Sequence, residues 1–358
     1  MSPFPATRRR IGRFGVVLAC LALTAGTMPP PARAAAQDLL SQAIANTRGR
    51  YLVYNFGAGF PAPMRNAAGD AYEMNNGGHL MIVKSASTRL TPRLLVDTHL
   101  GAQARCERTP GARTREGLPQ ASETYSPLQA WQVLDRPAIA INANFFDVRS
   151  QRGGSWKATG CTSPMGAYVD NTGGAGRTNL SVTGTLAYAG KQALSGGDEV
   201  WTALSTLILP VGGAPYVVAP ASATDYDAAS PVIDKLISDG TKFVAVSGLK
   251  LLAPGDAGQL NDPGPSAART AIAYARGKDE MYVFQGGSYT PDQIQDLFRG
   301  LGADTAVLLD GGGSSAIVLR RDAGGMWAGA GSPRGSCDTT EVLCDARERA
   351  LPSWLAFD

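Results

Sequence analysis

The chain has 358 residues, 44% of them hydrophobic and 18% charged, with a formal net charge of +3. This composition is globular and the chain is long enough to bury a large core, which excludes a disordered polymer. The basic residues beyond the N-terminus are scattered, with no stripe and no interleaved aromatics, so nothing supports a nucleic-acid partner.

Residues 1–36 read as an export signal. Arg8, Arg9, Arg10 and Arg13 precede an apolar run from Phe14 to Leu23, and Pro29-Pro30-Pro31 and Ala32-Arg33-Ala34 supply a break and an A-x-A-like cleavage site. The arginine pair suggests twin-arginine export, but its flanking residues do not match that motif. Cys20 lies inside the apolar run instead of at its end, where lipidation would need it. The mature chain, 37–358, is expected to be periplasmic or secreted, and no later stretch approaches the roughly 18 to 20 apolar residues of a membrane span.

Without Cys20, four cysteines remain: Cys106, Cys161, Cys337 and Cys344. An even number in an oxidising compartment predicts disulfides. Cys337 and Cys344 bracket a short polar loop, so local pairing is expected there, leaving Cys106 with Cys161. A metal site is the rival, weakened by the lack of C-x-x-C spacing and of nearby histidines.

In chain order, the pattern predicts a helix over 37–46 and strands over 51–54, 79–83 and 94–97. A loop over 104–120 leads to a helix over 125–134 and a strand over 137–142, with a further strand over 165–169. Residues 171–240 are rich in Gly, Ala, Ser and Thr and yield only short strands over 206–209 and 216–218. A strand over 243–248 ends at Ser247-Gly248, and 253–265 reads as a loop that could close as a lid. A hairpin over 269–284 follows, then a helix from Pro291 with Gly300 at its end. The fold class is α+β: a mixed, strand-rich sheet system with few flanking helices, in a single mature domain.

The most informative stretch is Thr305 to Leu319. Two apolar runs flank Asp310, three glycines and two serines, which reads as strand, tight loop, strand. Glycines allow close backbone approach, so the N–H groups of Gly311, Gly312, Gly313, Ser314 and Ser315 can form an anion-binding nest beside a carboxylate held at a strand end. Ile141-Asn142-Ala143-Asn144-Phe145-Phe146-Asp147 repeats that logic, ending an apolar strand in two amides, two aromatics and a carboxylate. Read blandly, the first is a glycine turn and the second a piece of core.

Taken in order, Asn142 to Phe146, Ser247-Gly248, Arg269-Thr270-Ala271 and Asp310 to Ser315 resemble the phosphodiester glycosidase domain family, with its N-G-G-F-F-like, R-T-A-like and D-G-G-G-S-S-like motifs. The resemblance is firmest over 137–320. Ala143 and Asn144 stand where the family commonly has two glycines, which adds bulk and an amide beside the site.

The resemblance implies hydrolysis of the glycosidic C–O bond of a sugar-1-phosphodiester, giving free sugar and a phosphomonoester. The residue types suit that chemistry: Arg269 and the loop amides for the phosphodiester, and Asp310 for the anomeric carbon, as nucleophile, electrostatic stabiliser or base. A second carboxylate is expected at Asp147, with Glu107 and Asp97 behind it. Asn142, Asn144, Phe145 and Thr270 are expected to line the sugar. Arg269 also reads as a structural salt bridge to Asp310. No cofactor is required, although the oxygen ligands near Asp310 suit Ca²⁺ or Mg²⁺. The sequence shows no G-x-S-x-G elbow, P-loop or dinucleotide fingerprint, and its two histidines, His79 and His99, do not form a catalytic pattern.

The alternatives are a hydrolase of ordinary glycosides or of other phosphodiesters on the same fold, and a non-catalytic envelope glycan-binding module with Trp156 and Trp327 as platforms. The expected partner is a glycan or sugar-1-phosphodiester, and nothing in the chain sets an oligomeric state.

Overall fold

The computed structural model describes residues 51–52, 69–73, 78–95, 105–112, 122–148, 155–173, 192–193, 199–200, 203–222, 225, 227–254, 265–320, 342–346 and 349–358. The export signal, the helix expected over 37–46, most of the 253–265 loop, Asp97, His99, Trp327 and Cys337 lie outside them.

Two antiparallel sheets organise the chain. The larger runs in the order Tyr51–Leu52, Gly69–Glu73, Gly78–Lys84, Glu280–Tyr289, Ala267–Ala275, Thr305–Leu308, Phe243–Leu252, Ser205–Pro210 and Tyr216–Val218, with Val169–Asp170 also paired to Phe243–Leu252. The smaller runs Val342–Ala346, Ala316–Arg320, Ile139–Asn142, Trp354–Phe357 and Pro92–Leu94.

Side-chain alternation explains why the sheets stack. In Thr305–Leu308 and the residue after it, Val307 and Leu309 face one core while Ala306 and Leu308 face another. Ile139 and Ile141, Ile317 and Leu319, and Leu355 and Phe357 from the smaller sheet meet the first set, so the principal core lies between the sheets. Each outer face is covered by a helix. Ile294, Leu297 and Phe298 of the helix Pro291–Leu301 pack on the larger sheet, and Ala130 and Trp131 of Pro127–Val133 on the smaller. Ile233 of Ser230–Ser238 covers Phe243 and Ala245 at the far edge.

The α+β class stands. The pairings among the described residues are antiparallel, so the expected mixed sheet narrows to antiparallel ones. The 269–284 hairpin is present as Ala267–Ala275 and Glu280–Tyr289. The helix expected over 125–134 is Pro127–Val133, opened by a capping box between Ser126 and Gln129.

Other boundaries moved. The helix from Pro291 passes Gly300 and ends at Leu301, because Gly302, at φ 87°, takes the left-handed cap. The strand expected over 165–169 is confined to Val169–Asp170, and Trp156–Thr159 forms a helical turn. Ser230–Ser238 is a helix inside the stretch where the sequence showed only strands. Val232, Ile233, Leu236 and Ile237 recur there at helical spacing, a signal that the Gly, Ala, Ser and Thr content of the surrounding stretch masked.

Cys106 and Cys161 are disulfide-bonded, tying the helical turn Arg105–Arg108 to the strand Cys161–Thr162. Cys344 is also in a disulfide. Its expected partner, Cys337, lies outside the described residues.

Candidate active site

The strands on either side of the Asp310 loop belong to different sheets. Thr305–Leu308 sits in the larger and Ala316–Arg320 in the smaller, so the loop crosses the open end of the sandwich with a short 3₁₀ turn, Gly312–Ser314. Gly312 has φ 61°, the left-handed region that favours glycine. At Gly311 a side chain would come within 2.8 Å of the Ala268 carbonyl.

Asn142 joins the sheets at this end. Its Oδ1 accepts from the Thr270 hydroxyl at 2.6 Å and from the Ala316 N–H at 2.9 Å, while its Nδ2 donates to the Asp310 carbonyl at 2.7 Å. The Thr270 and Ser315 hydroxyls are 2.9 Å apart, and the Asp310 N–H donates to the Ala143 carbonyl at 3.0 Å. The first, third and fourth motifs therefore meet at one point. Ser247-Gly248 comes in from the side: the Ser247 N–H donates to Asn144 Oδ1 at 3.1 Å, and a Cβ on Gly248 would collide with the Leu308 carbonyl at 2.2 Å.

The Asp310 carboxylate accepts from the Gly311 N–H at 2.8 Å and from the Ser314 hydroxyl. The residue keeps some surface open to solvent, but its carboxylate is closely surrounded by protein. Burial pushes its pKa up to about 6, against the pull of those two hydrogen bonds and the fields of Arg349 and Arg269.

Arg269 follows a bulge at Ala268 in the edge of its hairpin, which re-aims the side chain. Its Nη2 donates to the Pro265 carbonyl at 2.8 Å, while its Nε is buried without a partner. Burial lowers its pKa and Asp310 opposes that shift. Among the described residues no hydrogen bond or ion pair joins it to Asp310, so it reaches the carboxylate through its field.

The remaining expected residues divide. Ser314 and Ser315 are buried, their hydroxyls engaged with Asp310 and Thr270. The Gly311, Ser314 and Ser315 amides are spent within the loop, which leaves Gly312 and Gly313 as its uncommitted N–H donors among the described residues. Asn144 gives both amide hydrogens to the Met165 and Ala167 carbonyls, at 2.7 and 2.9 Å. Phe145 is half-buried. Asp147 is buried; its N–H donates to the Ser163 carbonyl and its carbonyl accepts from the Thr162 hydroxyl. Glu107 is exposed on the disulfide-linked turn. Among the described residues no three His, Cys, Asp or Glu side chains converge.

Two residues were missed from sequence. Arg349 lies with its Cζ 4.9 Å from the Trp156 ring centroid and 5.1 Å from that of Phe146. Its Nη1 is 3.3 Å from where a Gly313 Cβ would stand. Gln285 lies opposite Thr270 in the neighbouring strand, on the same face, with a buried Oε1 that has no partner. The cross-strand position of Gln285 could have been read from the hairpin register; nothing local marks Arg349.

The two-sheet sandwich carries at one end a carboxylate on a glycine loop, with Arg269 and Arg349 both acting on it through their fields. A family model described as phosphodiester glycosidase matches residues 135–357, and the chain belongs to that family. Among solved structures, the zebrafish N-acetylglucosamine-1-phosphodiester alpha-N-acetylglucosaminidase catalytic domain, auto-inhibited by its pro-peptide, is similar at 15% identity and a TM-score of 0.42, over 86% of each chain. A hypothetical protein from Synechocystis is similar at 13% identity and 0.39, over 81% of this chain and 59% of that one. No curated protein matches.

Proposed function

We propose that the protein is an exported hydrolase that cleaves the glycosidic C–O bond of sugar-1-phosphodiesters, of which a GlcNAc-1-phosphodiester is the model substrate. The observation that carries this reading is Asp310 itself, a single carboxylate with a pKa of about 6, set beside cationic side chains on a loop with free amides.

Ordinary glycosides leave as alkoxides and need a carboxylic acid to protonate them, hence two carboxylates. A sugar-1-phosphodiester leaves as a phosphomonoester, whose second pKa is about 6, so the departing oxygen needs positive charge more than a proton. One carboxylate then suffices. Asp310 takes a proton from water, the water oxygen bonds to C1, and the C1–O bond breaks with its electron pair going to the phosphate oxygen. The proton passes on to the phosphomonoester or to solvent. Arg269 and the Gly312 and Gly313 amides receive the phosphate, and Gln285 Oε1 accepts from a sugar hydroxyl. Asn142 and Thr270 hold Asp310 in place. The guanidinium groups supply the charge a divalent ion would otherwise bring, so the scheme uses no cofactor.

Export is supported by the Arg-rich, apolar N-terminus and by the Cys106–Cys161 disulfide. Among the described residues no helix is long and apolar enough to cross a membrane.

The test is release of free sugar from a GlcNAc-1-phosphodiester by the mature chain, with Asp310→Asn and Arg269→Ala beside it. Both folded variants are expected to lose activity. Equal turnover of a neutral GlcNAc glycoside would favour the ordinary-glycosidase alternative.

A further inference from the structure

We propose that Arg349 is the second arm of a two-arginine clamp on the substrate's phosphodiester, held on a shelf made by Phe146 and Trp156. This rests on the phosphodiester reading above and adds to it a residue, a geometry and a basis for selectivity.

The two rings form the shelf by meeting edge to face, with centroids 5.0 Å apart and planes at 80°. Stacking engages the flat face of a guanidinium and leaves its in-plane N–H groups for an acceptor. Those of Arg349 have none. Among the described residues it makes no hydrogen bond or ion pair, and its Nε is buried without a partner, as is that of Arg269. A buried donor left unpaired is costly, and two in one site point to an acceptor that comes from outside the fold.

The placement indicates which acceptor. Arg269 lies against Gly311, its Nη1 3.6 Å from the position a Cβ would take, and Arg349 lies against Gly313. The uncommitted Gly312 and Gly313 amides therefore stand between two guanidiniums. A phosphodiester has two non-bridging oxygens, one for each arm. Charge matches as well. Two arginines and an ionised Asp310 leave one net positive charge, which a monoanionic diester neutralises. A neutral glycoside leaves that charge uncompensated, and the phosphomonoester product, with two negative charges, overshoots it. The clamp thus selects the diester and favours release of the product.

The test compares wild type with Arg349→Ala, Arg349→Gln, Arg349→Lys and Trp156→Leu in the mature chain. It reads kcat and KM on a GlcNAc-1-phosphodiester, equilibrium binding of inorganic phosphate, and melting temperature. Arg349→Ala and Arg349→Gln are expected to raise KM for the diester and weaken phosphate binding by roughly 30-fold or more. Arg349→Lys recovers only part of each loss, and Trp156→Leu falls between it and wild type. Wild-type turnover with a folded Arg349→Gln variant that keeps normal KM and phosphate affinity would overturn the clamp and leave the hydrolase reading intact. Phosphate binding that depends on Arg349, without turnover of any sugar-1-phosphodiester, would retain the clamp and overturn the hydrolase reading. Absence of both overturns both.

Discussion

The Nδ2 of Asn142 donates to the carbonyl of Asp310 at 2.7 Å, across 168 residues of chain and from one sheet to the other. The same side chain accepts from Thr270 and Ala316, so one amide fixes where the Asp310 loop leaves one sheet and enters the next. Asn142 is thereby a positioning residue for Asp310.

Asn142 and Asn144 should consequently behave as struts. Replacing either by Ala strands several buried partners, at a cost of about 2–4 kcal/mol in stability. Chemical denaturation checks this. For Asn144→Ala, the protein that remains folded should keep a near-normal KM, because its polar atoms hold the Met165, Ala167 and Ser247 backbones. A large rise in KM with stability unchanged would instead make it a substrate contact.

Asp310 is the opposite case, a residue the fold would be more stable without. Its folded pKa, about 6, lies above the ordinary value of 3.8, so the native state holds this proton more tightly than the unfolded chain does. The resulting stabilisation is complete below about pH 4 and is lost as pH rises through about 6. Above that range Asp310→Asn should remove a penalty on the order of 3 kcal/mol. Melting temperatures of Asp310→Asn and wild type should diverge between pH 5 and pH 7.5, the variant being the more stable at the higher pH, while its turnover falls by a factor of about 10³ or more.

The same titration governs rate. A base must be deprotonated, so kcat/KM for a sugar-1-phosphodiester should climb with pH, reach half its maximum near pH 6 and then level off. Arg349 lowers the Asp310 pKa through its field, and Arg349→Gln should therefore move the midpoint upward. A profile that falls through pH 6 would assign Asp310 to the acid role.

The Cys106–Cys161 bond spans 55 residues and anchors Cys161–Thr162, whose Thr162 hydroxyl donates to the Asp147 carbonyl at 2.6 Å. A Cys106→Ser, Cys161→Ser double variant should lose about 2–4 kcal/mol of stability, read as a drop of several degrees in melting temperature. Turnover below that temperature should be little changed, since none of these residues touches Asp310.

Much of this site could be read from the chain because its motifs are strand ends: an apolar alternation stops abruptly at Asp310, at Asn142 and at Ser247-Gly248. The hairpin and the capped helices were legible for the same reason, since their signals are local. What could not be read is how distant segments meet. Alternation looks alike in either sheet, so the pattern around Asp310 does not reveal that its two strands part company. Asn144 has the composition of a ligand contact, and its three backbone partners, Met165, Ala167 and Ser247, lie too far along the chain to be read from the motif. Arg349 has no local signature, because the rings that hold it, Phe146 and Trp156, come from the opposite half of the sequence. The carboxylate expected at Asp147 followed from the two-carboxylate scheme; the side chain is buried beside the first motif, and its role there is a matter for mutation.

The measurement that bears most directly on the whole account is a comparison of kcat/KM for a GlcNAc-1-phosphodiester with that for a neutral GlcNAc glycoside, using wild type and Asp310→Asn. The account predicts that wild type turns over the diester far faster than the glycoside and that folded, thermally stable Asp310→Asn releases no free sugar. Undiminished release by Asp310→Asn, or equal turnover of the two substrates, would contradict it.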